Sequence, residues 1–100
     1  MDLYMRFLAF EVVVLVATEE EYKKLLQRFH DLRLKSVKYL ERVSFEDLHK
    51  DAGIKVMQYG ECCIEFSLGR GFTFGRKKGY VDYGCEVVSV QEFLDATEYE

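Results

Sequence analysis

Four cations and two tyrosines within fifteen residues are the chemistry this sequence offers most plainly. Arg70, Arg76, Lys77, Lys78, Tyr80 and Tyr83 stand between Gly69 and Gly84, with Asp82 the lone acid among them. That stretch carries a local charge of +3 in a chain whose formal net charge is −4. A guanidinium offers a planar fork to phosphate, and an ammonium offers a point charge. Tyrosine rings give a face on which a base can stack, a contact typically about 1–3 kcal/mol per base. Glycines at both ends permit close backbone approach to a ligand. The mix suits a small nucleotide; the competing reading is a solvated hairpin end with its tyrosines packed inward. Gly-Arg-Gly-Phe-Thr-Phe-Gly is neither a dinucleotide fingerprint nor a P-loop, since no helix-opening G-x-G-x-x-G and no G-K-[ST] is present.

Other chemistry is thinner. The three cysteines, Cys62, Cys63 and Cys85, are odd in number. Two are adjacent, a poor basis for a disulfide framework or a zinc site. They are expected to be reduced, buried thiols in a cytosolic setting. Pairing a cysteine with His30 or His49 is arithmetically available, yet no local signature accompanies it. Glu61 and Glu65 share a strand face without any mark of desolvation. No catalytic residues, cofactor or metal ligands are therefore assigned. The modest acidic balance argues against non-specific nucleic-acid binding, which needs clustered cations over a broad surface.

One hundred residues, 49% hydrophobic and without proline, are expected to form a single domain, 1–100, with a real core. The apolar run from Phe7 to Ala17 is too short to span a membrane. Asp2 and Glu11 are wrong for a signal peptide. Residues 6–16 are read as a strand, with Leu8, Phe10, Val12, Val14 and Val16 on the face that meets the helix. Glu11 is read as a solvent-facing carboxylate.

Thr18 followed by Glu19–Glu21 is a capping box opening a helix over 19–33, whose stripe is Tyr22, Leu25, Leu26, Phe29 and Leu32. Residues 34–43 are read as a loop with a short strand, and 45–51 as a short helix closed by Gly53. Strands are expected at 54–59, 62–68, 71–75 and 85–90, with the Gly69–Gly71 turn making a hairpin. A capped apolar turn, 91–95, and an acidic tail end the chain. The expected architecture is α+β: a small, mostly antiparallel sheet of four to five strands with one main helix packed on one face. Residues 75–84 are expected to leave the sheet as a loop.

The order of these features resembles a broad class of small bacteriophage proteins. A strand leads into TEEEYKKLLQRFHDL, then come CIEF, a hairpin into GFTFG, a tyrosine-bearing loop and VVSVQEFL. Some members of the class are viral nucleotide sponges, which sequester the cyclic nucleotide signals of bacterial immunity. The resemblance implies a non-catalytic homo-oligomer in the cytoplasm of an infected host. It implies inter-subunit pockets in which Arg70, Arg76, Lys77 and Lys78 hold phosphate and Phe72, Tyr80 and Tyr83 stack on bases. The alternative is a protein-binding inhibitor of a host enzyme or defence complex. In that reading the acids of 19–21 and of the 92–100 tail mimic nucleic acid.

Overall fold

The computed structural model describes residues 2–51 and 61–99. The architecture is α+β around a four-stranded mixed sheet. The elements in order are α1 (Leu3–Leu8), β1 (Val12–Val16), α2 (Glu19–Asp31), α3 (Val37–Glu41) and α4 (Phe45–Asp51). After them come β2 (Cys62–Ser67), β3 (Gly71–Arg76), α5 (Lys77–Tyr83), β4 (Glu86–Ser89) and α6 (Val90–Ala96). The sheet order is β3-β2-β1-β4. β2 runs antiparallel to both neighbours, but β4 pairs parallel to β1, Val12 against Glu86 through Leu15 against Ser89. Two of the three pairings are antiparallel, as expected, and the parallel β1–β4 pair makes the sheet mixed.

Helices cover both faces of the sheet, not one. Val12, Val14 and Val16 of β1 point, with Cys62, Ile64 and Phe66 of β2, into the main core. There α1, α2, α3 and α6 supply Phe7, Leu25, Phe29, Leu40 and Phe93. Strand alternation sends Val13 and Cys63 to the opposite face, where Tyr80 of α5 buries them in a smaller second cluster. This second cover was not expected, because Gly75 and Gly79 make the intervening sequence read as a loop. Instead Lys77–Tyr83 is helical and Gly84, at φ 106°, closes it by donating to the carbonyls of Tyr80 and Val81. A left-handed residue just past the last turn is the usual glycine helix stop.

The first expected strand is shorter than read. Only Val12–Val16 is extended; residues 3–8 form α1, capped by Asp2, whose Oδ1 accepts from the Met5 amide at 2.8 Å. A continuous apolar run carries no period to separate helix from strand, and the Asp2 cap decides for helix. Phe10 then takes φ 61° and turns the chain from α1 into β1. Glu11 is exposed, as expected. Residues 34–43 contain a helix, α3, not a strand, and bury Val37 and Leu40. The C-terminal segment is likewise a full helix, α6, opened by a capping box in which the Glu92 amide donates to Ser89 Oγ at 3.0 Å. Helix α2 ends at Asp31 and keeps its Thr18 cap. The strand expected at 54–59 lies outside the described residues.

The hairpin turn is tight for a steric reason. Gly71 has φ 83°, and a methyl there would lie 2.7 Å from Ser36 Oγ and 2.9 Å from Ser36 Cβ. Gly71→Ala therefore combines a disfavoured backbone with a clash against α3's entry. We expect it to lower unfolding free energy by about 1–3 kcal/mol, read as a shift in urea midpoint. A change of a few tenths would mean that the turn relaxes freely.

Candidate functional site

The structure divides the cationic stretch. Arg70 sits in the hairpin turn and Arg76 at the far end of β3, and at about 3.3 Å per residue their Cα atoms are on the order of 20 Å apart. Arg70 Nη2 lies 4.0 Å from Glu65 Oε2. Lys78 is held by Asp82 at 2.9 Å, one turn along α5. Lys77 is exposed at the start of that helix, its amide donating to the Glu61 carbonyl at 2.7 Å. The four cations therefore form no single clamp.

The aromatic residues also part company. Phe72 is buried in the main core, tilted against Phe29 at 4.6 Å and edge-on to Phe66 at 4.9 Å between centroids. The resemblance assigned it to base stacking; β3's alternation turns it to the opposite side of the sheet from α5. Tyr80 is buried beneath α5, over Gly75, and its hydroxyl donates to Glu65 Oε1 at 2.8 Å. Burial and that carboxylate raise its phenol far above the ordinary range. Glu65 lies on the sheet face opposite the main core and is buried there beneath Tyr80. The pair pins α5 to the sheet. Tyr80→Phe leaves a buried carboxylate short of its donor and should cost about 1–3 kcal/mol, whereas Tyr80→Phe with Glu65→Leu, which removes both polar partners, should recover most of it. Denaturant midpoints of the two variants decide this; equal losses would refute the pairing argument.

Tyr83 is different: its residue is 74% exposed. Its ring stacks on Phe10 at 5.4 Å with planes 27° apart, and Phe10 in turn stands edge-on to Tyr80 at 6.2 Å. Phe10 holds this place through its left-handed backbone, uncommon for a bulky side chain and found where the surroundings over-determine it. The Phe10–Tyr83 pair forms a ridge between two open cavities. One, of about 230 Å³, is lined by Phe10, Gly75, Arg76, Gly79, Tyr80 and Tyr83. The other, of about 390 Å³, adds Arg6, Glu11, Cys85 and Glu86 to the same two aromatic rings.

Of the residues expected to bind, Arg76, Tyr80 and Tyr83 come together here, while Arg70, Phe72, Lys77 and Lys78 do not line either cavity. Sequence reasoning missed Phe10, which it placed in a strand facing the helix, and missed Arg6. It read Glu11 first as a solvent-facing carboxylate, with a ligand contact as the lesser reading. The signal that could have found Phe10 is the Ala-Phe-Glu break between a capped helix and a valine run.

The cysteines are not poised as nucleophiles. Burial pushes the thiols of Cys62 and Cys63 up to about 12, and that of Cys85 upward too. They are protonated at neutral pH, and the thiolate is the nucleophile. Among the described residues no three metal-ligating side chains converge, and no helix is long and apolar enough to cross a membrane. What remains is an exposed aromatic face beside an arginine, an arrangement that can stack a planar ring and meet an anion. Comparison with protein-family models, curated proteins and solved structures finds no match for this chain.

Proposed function

We propose that this protein is a non-catalytic binder of a small nucleotide, held at the Phe10–Tyr83 ridge. The observation that carries the reading is the exposed Tyr83 ring, backed by Phe10 and flanked by Arg76. An exposed aromatic supported from behind loses little freedom when a base stacks on it, and Arg76 supplies the charge for phosphate. The resemblance to viral nucleotide sponges gives the role: sequestering a nucleotide immune signal in an infected bacterium. Both cavities are open to solvent, so a second copy closing over the ridge fits the homo-oligomer that the resemblance implies.

The reading by acidic mimicry draws less support. Glu19 and Glu20 pair with Lys23 and Lys24 at 3.6 and 3.4 Å, which screens two of the three acids at the start of α2. The test is a thermal-shift panel of cyclic dinucleotides and cyclic ADP-ribose-type ligands, since a ligand bound only by the folded chain raises its melting temperature. A concentration-dependent shift with at least one member is expected. A flat panel, with a single host protein captured stoichiometrically instead, would reverse the choice.

A further inference from the structure

Beside the aromatic ridge the chain assembles a second recognition element. Glu86 begins β4 and donates its amide to the Glu11 carbonyl at 3.0 Å, which extends the parallel ladder and brings both side chains to one end of it. Arg6, from α1, reaches over them: its Nη2 lies 2.9 Å from Glu86 Oε1 and its Nε 3.7 Å from Glu11 Oε1. Both carboxylates are about half exposed, 51% and 53% by side chain, and each turns Oε1 toward the arginine. The second oxygen of each is left to solvent or to a ligand. These groups share their cavity of about 390 Å³ with Phe10 and Tyr83, a size within the usual range for small-molecule sites of about 300–1,000 Å³.

Two acids against one arginine leave this cavity anionic, so phosphate has no place in it. The cation of the neighbouring cavity, across the ridge, is Arg76. The orientation follows: the base lies on the Glu11–Glu86 side and the phosphates on the Arg76 side. A carboxylate only accepts hydrogen bonds. Guanine presents two adjacent donors on one edge, N1–H and the 2-amino group, one for the second oxygen of each glutamate. Adenine sets its N1 acceptor beside its amino group there, which a carboxylate repels. Resting on the nucleotide reading above, we propose that Glu11 and Glu86, preset by Arg6, select a guanine base stacked on Tyr83.

The experiment is calorimetric titration of the intact protein with cyclic di-GMP, cyclic di-AMP and the inosine analogue, which keeps N1–H and lacks the 2-amino group. The guanine ligand should bind about tenfold or more tighter than the adenine one, within the range of a good bidentate base contact, and the inosine ligand should fall between. Glu11→Gln with Glu86→Gln should bring the guanine-to-adenine ratio to within about threefold. Arg76→Ala should weaken both ligands and leave the ratio. Equal or adenine-favouring affinities in the unaltered protein, or an unchanged ratio in the Gln variant, overturn the guanine assignment and leave the nucleotide reading standing. Absence of binding by all three ligands overturns the guanine assignment, and the nucleotide reading falls with it only if the wider thermal-shift panel is flat as well.

Discussion

Phe7→Ala should cost this protein about 3–5 kcal/mol, the usual loss when a buried phenylalanine is truncated to alanine in a packed core. Phe7 is fully buried. Its ring centroid lies 5.6 Å from that of Phe29, 6.1 Å from Phe66 and 4.9 Å from Phe93. It therefore touches α2, the sheet and α6 at once, and its removal opens a void that three separate elements would have to close together. They are poorly free to do so. Arg28 of α2 is tied to α6 by hydrogen bonds of 2.7 Å to the Leu94 carbonyl and 2.6 Å to Thr97 Oγ1. Domains of this kind have a total stability of about 5–15 kcal/mol, so the loss removes a large share of it. Chemical denaturation checks this. A loss below about 1 kcal/mol would mean that α1 is not part of the cooperative core and that Phe7 can leave it without consequence.

The second large effect concerns binding. Tyr83→Ala should weaken the best nucleotide of the panel by about tenfold or more, the lower part of the range for removing one base–aromatic stack. Arg76→Ala should weaken it through the phosphate, with a stronger dependence on salt in the intact protein than in the variant. Tyr83 is chosen because its ring is on the surface and its loss should leave the fold intact; melting temperatures of variant and parent should agree within a few degrees. Lys78→Ala serves as the contrast. That residue is an exposed cation already engaged with Asp82 and lines neither cavity, so its removal should change affinity little. If Lys78→Ala and Tyr83→Ala were equally damaging, binding would follow general charge and not the ridge.

How much of this could be read in the chain depends on which signal was local. The α2 helix was legible because Thr18 and Glu21 mark its start and its stripe repeats at helical spacing. The β2–β3 hairpin was legible because glycines bracket it. The α5 helix was not: Lys77–Tyr83 has a glycine in its interior and no side-chain cap, and its existence rests on Tyr80 finding Glu65 across the sheet. That is a tertiary contact, and short-range propensity is overridden by such contacts. The same holds for the site. A list of cations and tyrosines could not say that β3 would separate Arg70 from Arg76, or that strand alternation would send Phe72 one way and α5 the other. Nor could it say that Phe10 would leave the apolar run to stand behind Tyr83.

The most direct test is amide and aromatic chemical-shift mapping by nuclear magnetic resonance with the strongest ligand from the panel. A separate groove between α2 and α3 is lined by Lys23, Leu26, Gln27, His30 and Glu41. The ridge account predicts saturable shifts at Phe10, Arg76, Gly79 and Tyr83, with Arg70 and that groove unmoved. Shifts confined to Arg70 and the hairpin turn, or to the α2–α3 groove, would contradict it.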